Sequence, residues 1–195
     1  MIVTIGRQHG SNGHLIAKAL ADGLGCPCYD KEIVDHAAEK SGYSRDVLHS
    51  YDEKRVSPYV ITGHNYMGVH EGFRLNMQAA SAQFDAIRAL AEKGDGVFVG
   101  RCADYVLRKR EDLVRVYIMA DEAFRIQTMM ERRSLNADQA RKLIKEVDKD
   151  RSSYYRYYTD QDWGDMVNYD LCINSGHIGV SGAVQVIRAY IENRN

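Results

Sequence analysis

The sequence comprises 195 residues, of which 45% are hydrophobic and 27% are charged, and its formal net charge is −1 at pH 7. A chain of this kind is large enough for one globular domain, and its balanced charge excludes a general attraction to nucleic acid or to an anionic membrane. No apolar run approaches the ~20 residues of a transmembrane helix, and the N-terminus does not resemble a signal peptide. The four cysteines are scattered, without the spacing of a zinc site. We therefore expect a cytoplasmic protein with reduced cysteines, whose partners include neither nucleic acid nor a membrane.

Five short runs rich in β-branched and other apolar residues recur along the chain. They are "IVTI" (2–5), "CPCY" (26–29), "GVFVG" (96–100), "LVRVYIM" (113–119) and "YDLCIN" (169–174). Several are continuously apolar, which is typical of strands covered on both faces of a parallel sheet. Because helical patterns separate them, the sequence predicts an α/β fold of three layers, a five-stranded parallel sheet with helices on both faces.

The helical patterns have recognisable ends. In the first helix, apolar residues recur every fourth position from Ile16, and Gly25 ends the pattern. The helix at 121–133 begins with acidic and ends with basic side chains, as the helix dipole favours. Asn136 is a suitable N-cap for a long helix, and the last helix is predicted at 180–193.

Two segments interrupt the alternation of strands and helices. Residues 51–72 are polar and rich in aromatic side chains, and a long helix is predicted to follow them at roughly 73–93. Residues 134–160 form a charged helical excursion, dense in Arg and Tyr. In an α/β domain, such insertions lie above the carboxyl ends of the strands, where ligands bind.

The stretch between the first strand and the first helix reads "IGRQHGSNGH" (5–14). Glycines at a helix N-terminus let an anion approach free backbone N–H groups, and Arg7 and His14 add side-chain donors. In the phosphate-loop pattern G-x-x-x-x-G-K-[ST], His14 stands at the lysine position and Leu15 at the hydroxyl position. The stretch is interpreted as an anion site with a degenerate pattern. The alternative is a tight turn whose glycines only allow close packing.

Four segments carry a resemblance that covers nearly the whole chain. They are "TIGRQHGSNGHLIAKALADGLGCPCYDKEIV", "FVGRCADYVL", "RVYIMADEAFRIQTMMERR" and "DKDRSSYYRYYTDQDWGDMVNYDLCINSGHIGV". In this order and spacing they resemble the cytidylate kinase-like family, within the P-loop nucleoside monophosphate kinases. The resemblance implies transfer of the γ-phosphoryl group of ATP, with Mg²⁺, to a nucleoside monophosphate, CMP or dCMP. It also implies one kinase-like domain with a core (1–50, 95–133, 161–195), a monophosphate-binding insertion (about 51–94) and a lid (about 134–160).

Matched residue by residue, the resemblance assigns candidate site residues. The ATP-binding loop comprises Gly10, Ser11, Asn12, Gly13 and His14. The acceptor lies beside Asp30 and Arg101, and Arg132, Arg133 and Arg151 fall near the lid arginines that surround the transferring group. Arg7 is the candidate that replaces the missing lysine, so Arg7, Arg101, Arg132 and Arg151 are the candidate catalytic residues. Arginine suits this chemistry because its guanidinium stays charged and offers phosphate a fork of donors. The protein ligands of Mg²⁺ stay unassigned, because a leucine side chain at position 15 cannot coordinate a metal.

Most of these residues also have a structural interpretation. Arg101 could pair with Asp104 or Asp121 at the end of its strand. Asp30 could cap the helix that begins "KEIVDHAA", and Arg151 could form a solvated ion pair within its own helix. Another group could either stack on a base or pack in the core: Tyr154, Tyr155, Tyr157 and Tyr158.

Three functions follow from these observations. The first is a cytidylate kinase-like phosphotransferase that uses ATP. The second, suggested by His14 and Leu15, is a non-catalytic nucleotide- or anion-binding protein on the same fold. The third is a kinase of another small metabolite, since residues 51–95 are the least similar to the family. The long helix near 73–93 and the surface tyrosines also suggest a homodimer.

Overall fold

Five parallel strands form the centre of the protein. The computed structural model describes residues 1–55 and 66–194. The strands are β1 (Ile2–Arg7), β2 (Cys28–Tyr29), β3 (Gly96–Val99), β4 (Leu113–Met119) and β5 (Leu171–Asn174). Their order in the sheet is β2-β3-β1-β4-β5, and each neighbouring pair is parallel. The predicted five-stranded parallel sheet is confirmed.

Eight α-helices surround the sheet in the described part of the chain. They are α1 (Gly13–Leu24), α2 (Lys31–Ser41), α3 (Arg45–Ser50), α4 (Tyr66–Ala91), α5 (Ala103–Val106), α6 (Glu122–Arg133), α7 (Ala137–Thr159) and α8 (Ser175–Asn193). A 3-10 helix lies at Met166–Asn168. None of the helices described is both long enough and apolar enough to cross a lipid bilayer.

Alternate residues of the central strands serve two separate cores. Ile2 and Phe98 belong to the core that β1 and β3 share with α2 and α4. Val3 and Ile5 belong to the core on the other face, where α1 and α8 pack. Because side chains alternate across a strand, each strand supplies both cores, which explains its continuous apolar sequence and confirms the predicted three-layer α/β architecture.

Several element boundaries differ from the prediction for local reasons. The second strand begins at Cys28 rather than at residue 26, and Pro27, which has no N–H to donate to a ladder, contributes only its carbonyl, to Val97. The last helix begins at Ser175, where Asn174 caps the amide of Gly176, and its backbone breaks at Gly179 (φ 66°, ψ −175°).

The caps predicted at two helix ends, Asn136 and Gly25, are confirmed. Asn136 caps α7, and a reciprocal bond from its own amide to Gln139 completes a capping box. Gly25 ends α1 in the left-handed conformation (φ 68°), which favours glycine.

The two predicted insertions contain long helices that approach the carboxyl ends of the strands. α4 begins at Tyr66, earlier than predicted, and residues 56–65 of the predicted monophosphate-binding insertion lie outside the described residues. α7 spans most of the segment predicted to be a lid, and it packs on α6 through Ala140 and Ile144. The division of the chain into core, insertion and lid stays a prediction.

Candidate active site at the carboxyl ends of the strands

The loop after β1 is held by polar contacts with the carboxyl end of β4. The Gln8 amide donates to the Ile118 carbonyl (2.9 Å), and Gln8 Oε1 accepts from the Ala120 amide (3.1 Å). Ser11 is fully buried, and its Oγ lies 2.8 Å from the Gln8 carbonyl. Ser175 Oγ donates to the Ser11 carbonyl at 2.6 Å. Ser11, predicted to bind ATP, therefore directs its hydroxyl at a backbone carbonyl in this structure.

The two glycines of the loop lie under other parts of the chain. Gly10 adopts a positive φ of 85°, and a Cβ there would lie 2.9 Å from the carbonyl oxygen of Arg125. A Cβ on Gly13 would lie 2.4 Å from Cβ of Arg7. Both glycines therefore permit close packing, as the tight-turn interpretation requires, and the residue between them that turns into α1 is Asn12, with φ 63°.

The N-terminus of α1 nevertheless keeps free donors. Within residues 1–55 and 66–194, no acceptor is bonded to the backbone amides of Gly13, His14 and Leu15. Asn12 makes no capping bond, because its Oδ1 accepts instead from Arg132 Nη2 at 2.5 Å. Unpaired amides at the positive end of a 12-residue helix favour an anion.

Arg101 lies two residues after the end of β3 and is paired with two carboxylates. Its side chain is 3% exposed. Nε and Nη2 donate to the two oxygens of Asp52 (2.8 and 2.6 Å), and Nη1 donates to Asp30 Oδ1 (2.8 Å) and to the carbonyl of Val99 (2.9 Å). Burial alone would lower the pKa of Arg101, but Asp52, Glu53 and Asp30 outweigh it and raise that pKa. The guanidinium is therefore charged and nearly saturated with protein acceptors.

Glu53 bridges the other two buried arginines. Its Oε1 accepts from Arg7 Nη1 (2.6 Å) and from the Arg101 amide (3.0 Å), and its Oε2 accepts from Arg151 Nε (3.1 Å). Burial opposes ionisation of Glu53, but Arg7, Arg151 and Arg101 prevail and hold its pKa far below the usual value. Arg7, Arg101, Arg151, Asp30, Asp52 and Glu53 thus form one arginine–carboxylate network with three charges of each sign.

Asp30 connects this network to the loop. Its Oδ2 lies 2.7 Å from Nδ1 of His14, while its Oδ1 accepts from Arg101. Burial opposes ionisation of Asp30, but Arg101 and Arg7 lower its pKa below the usual value. Asp30 occupies the N-cap position of α2, as the structural interpretation has it, but its side chain makes no capping bond. The structure brings Asp30, Arg101 and His14 together.

A second charge cluster, which the sequence did not indicate, holds α7 on the loop. Asp148 on α7 accepts from the His9 amide (2.7 Å) and from Arg125 Nη1 (2.6 Å). Burial raises the pKa of Asp148 in spite of these donors. Burial and nearby arginines, Arg151 first among them, lower the pKa of His9 to about 4, so His9 is neutral at pH 7. One loop amide is thus already bonded to a carboxylate of the chain.

The remaining predicted arginines occupy different positions. Arg132 is exposed and reaches Asn12 across the mouth of the loop. Arg133 lines the same cleft as the network. Arg151 does not form a solvated ion pair within its own helix: its side chain is 15% exposed and bonds Glu53, 98 positions earlier in the chain.

Neither acidic residue predicted to pair with Arg101 does so. Asp104 accepts from the hydroxyl of Tyr155 (2.7 Å) rather than from Arg101. Asp121 is exposed and accepts from Asn174. Of the four tyrosines that could stack on a base, Tyr154 and Tyr155 are buried in the core and Tyr157 is exposed.

These groups line a cleft of about 470 Å³ at the carboxyl ends of β1 and β3, a size typical of a small-molecule site. All six members of the arginine–carboxylate network contribute to its walls, and His14, Lys31 and Arg133 stand with them. Asp52 and Glu53 are members that sequence reasoning missed, because nothing in "YDEKR" distinguishes paired carboxylates from a solvated run.

Protein ligands for a resident metal ion are missing from the described segments. No group of three His, Cys, Asp or Glu side chains suited to hold a metal occurs in them. The carboxylates of the cleft are bonded to guanidinium groups, and Leu15 stands where a hydroxyl ligand would be expected. The residues present do not fit a Mg²⁺ site made by the protein.

Comparison with known proteins decides the family. The model of the cytidylate kinase-like family matches residues 2–177. The chain belongs to the cytidylate kinase-like family. A solved structure of an uncharacterized protein from Eubacterium ventriosum ATCC 27560 is 31% identical, with a TM-score of 0.77, over 100% of this chain and 99% of that chain. The curated proteins contain no match.

More distant structures of kinases share the fold. Shikimate kinase from Bacteroides thetaiotaomicron is 10% identical (TM-score 0.58), over 98% of each chain. Deoxyadenosine kinase from M. mycoides is 10% identical (TM-score 0.51), over 98% of this chain and 99% of that chain. At this identity the likeness shows the fold alone. Family and fold together support a phosphotransferase of the P-loop kind, and the family implies the use of ATP and usually Mg²⁺.

Proposed function

We propose that this protein transfers the γ-phosphoryl group of ATP to a small acceptor bound in the cleft at the carboxyl ends of β1 and β3. One observation carries the proposal: the N-terminus of α1, whose first amides have no acceptor among the described residues, contributes His14 to the cleft that three buried arginines line. Phosphoryl transfer needs two substrates held in line and positive groups around the moving charge, rather than a covalent catalyst. Helix amides and guanidinium groups meet these needs.

In this proposal, the phosphates of ATP lie at the N-terminus of α1. The amides of Gly13, His14 and Leu15 are the donors that need no rearrangement, and Arg132 stands over them through its bond with Asn12. The predicted residues Gly10 and Ser11 contribute to the conformation of the loop through close packing and a bond to the Gln8 carbonyl. Mg²⁺ bound to ATP would partly neutralise the charge of its phosphates, and the described residues offer it no group of three ligands.

Two classes of acceptor fit a kinase of this family. The resemblance favours CMP or dCMP, with the acceptor phosphate on Arg101 beside Asp30. A kinase of another small metabolite, the third function that the sequence suggests, is favoured by a specific observation: Asp30 and Asp52 already occupy the guanidinium of Arg101. Self-association as a homodimer stays a prediction.

A non-catalytic nucleotide-binding protein is the candidate outside the enzyme class. It is favoured by the replacement of the phosphate-loop lysine by His14 and of the hydroxyl by Leu15. A preorganised donor to a transition state contributes about 10²–10³ in rate, so losing the lysine could leave binding intact while making turnover very slow.

A coupled assay of ADP release tests the proposed function. Wild-type protein with ATP and Mg²⁺ is expected to form ADP with at least one acceptor from a set that contains CMP, dCMP and a panel of small hydroxyl compounds. Arg132→Ala should raise the KM for ATP by about tenfold, since one charge-assisted bond contributes roughly 1.5–3 kcal/mol. Arg141→Ala is the matched control, because Arg141 is exposed on α7 and pairs with Glu122 and Asp138 outside the cleft.

The assay also separates the two classes of function. Calorimetric binding of ATP without ADP release in any arm would support the non-catalytic protein. An equal KM in the Arg132→Ala and Arg141→Ala variants would remove Arg132 from the ATP site.

A further inference from the structure

The guanidinium of Arg101, on which the resemblance places the acceptor phosphate, is already surrounded by acceptors of the chain itself. Arg101 has five N–H donors, and four of them are bonded: two to Asp52, one to Asp30 and one to the carbonyl of Val99. An acceptor phosphate could reach this guanidinium only by displacing a bidentate carboxylate from a side chain that is 3% exposed. Arg101 is therefore poorly placed to take a second anion.

The charges of the arginine–carboxylate network disfavour a phosphate beside Arg101, whereas Lys31 and Arg133 line the cleft outside this network. Arg7 and Arg151 are both bonded to Glu53, so the network has no unpaired arginine. A dianionic acceptor would meet the carboxylates of Asp30, Asp52 and Glu53 at close range, with their charges already balanced by the arginines. In a partly desolvated cleft such like-charge contacts are costly. Carboxylates instead suit an acceptor that donates hydrogen bonds.

His14 adds a group that can receive a proton. Asp30 is an ionised carboxylate, because Arg101 holds its pKa low after burial is overcome, and an ionised carboxylate only accepts hydrogen bonds. The ring nitrogen that faces it at 2.7 Å, Nδ1 of His14, therefore carries hydrogen. In the neutral ring this leaves the lone pair on Nε2 of a side chain that lines the cleft.

We propose that the acceptor is a hydroxyl group of a small molecule, and that His14, oriented by Asp30, removes its proton during transfer. This inference rests on the proposed phosphotransferase function and names the class of its substrate. The acceptor O–H bond breaks and its proton passes to Nε2 of His14. The acceptor oxygen forms a bond to the γ-phosphorus of ATP as the bond from that phosphorus to the β–γ bridging oxygen breaks. The products are a phosphate monoester and ADP.

Water is itself a hydroxyl acceptor, so the role of His14 can be measured before the natural acceptor is identified. Wild-type protein is expected to hydrolyse ATP slowly with Mg²⁺ present. His14→Ala should lower kcat for this hydrolysis about 10²-fold, the lower end of the range for a general base, with a smaller change in KM. Added imidazole should restore part of kcat, because the side chain of His14 is 55% exposed and leaves a cavity that solvent reaches. Lys18→Ala, one turn along α1 and also exposed, should keep the wild-type kcat.

A matched pair of acceptors tests the substrate class. Cytidine and CMP share base and sugar, and only CMP carries a phosphate. We expect CMP to leave the rate of ADP release at its value in water alone, and a panel of nucleosides, polyols and hydroxy acids to include a compound that raises it. Phosphorus NMR should then detect a phosphate monoester rather than a new diphosphate.

Each outcome has a distinct meaning. Acceleration by CMP with a diphosphate product would overturn the hydroxyl acceptor and leave the proposed phosphotransferase in place. An unchanged kcat in His14→Ala, or a loss that appears only in KM and does not respond to imidazole, would overturn the role of His14. Absence of ADP release in every arm, with ATP bound, would remove the proposed function itself.

Discussion

Replacing Arg101 with methionine should destabilise the protein strongly at neutral pH. The change removes one buried charge and leaves Asp30 and Asp52, which are 16% and 18% exposed, without their main partner. Breaking a buried ion pair by removing one partner costs about 3–5 kcal/mol. Two charge-assisted contacts at roughly 1.5–3 kcal/mol each lead to a similar figure. For a chain of this size, 1 kcal/mol shifts Tm by about 2–4 °C, so we expect a fall of roughly 6–20 °C.

The sign of the pH dependence follows from the orphaned carboxylates. In the wild type, burial opposes ionisation of Asp30, but Arg101 outweighs it and lowers the pKa of Asp30. The pair of Arg101 and Asp30 therefore stabilises the fold above the unfolded pKa of Asp30, and this stabilisation is lost as the pH falls through the folded pKa. Without Arg101, burial and Glu53 oppose ionisation with only Arg7 against them, so the pKa of both carboxylates should rise. As the pH falls, protonation removes the unpaired charges of the two buried carboxylates and so reduces the destabilisation of the variant. The difference in Tm between wild type and Arg101→Met should therefore shrink between pH 7 and pH 4.5.

Thermal unfolding at both pH values, followed by circular dichroism, measures this difference. The double variant Arg101→Met/Asp52→Leu is the control, because it also removes one orphaned carboxylate and should be more stable than the single variant at pH 7. A fall in Tm below about 2 °C, or an equal fall at both pH values, would refute the reasoning. The same result bears on activity assays: a loss of turnover in an Arg101 variant needs a stability measurement before Arg101 is assigned to the substrate.

Three further predictions concern the loop and the helix ends. Gly13→Ala should destabilise the protein, since the added Cβ would lie 2.4 Å from Cβ of Arg7. Gly23→Ala, on the exposed face of the same helix, has its nearest neighbour at 3.9 Å and should raise the free energy of unfolding by up to about 1 kcal/mol. Equal Tm values for the two variants would contradict this packing. Asn136→Ala should cost about 1 kcal/mol in urea unfolding by removing the cap of α7, and an unchanged midpoint would show that the cap does not contribute. The pKa of His9 is lowered to about 4, so His9 takes up its proton at a lower pH in the folded protein than in the unfolded chain. The free energy of unfolding should therefore fall as the pH drops from about 6.5 to 4. A His9→Gln variant with the wild-type pH profile would exclude His9 as the cause.

The sequence by itself determined the architecture of the sheet and several helix ends. Continuous apolar runs such as "GVFVG" indicate strands buried on both faces, because only a covered parallel sheet accommodates them. Asn136 and Gly25 end their helices through contacts within a few residues, so their roles were visible locally. At residue 26, where the predicted start of the second strand was wrong, the neighbouring Pro27 was responsible.

Only the tertiary structure decided how the charges of the site are paired. The sequence indicated Arg7, Arg101 and Arg151, but their shared carboxylate, Glu53, lies 46 positions from Arg7 and 98 from Arg151. It stands in a segment that is indistinguishable, as a string of letters, from an exposed polar run. Whether such a carboxylate is solvated or bound to a buried guanidinium depends on which segments cross the carboxyl end of the sheet, and pairing through space follows from packing rather than from spacing along the chain.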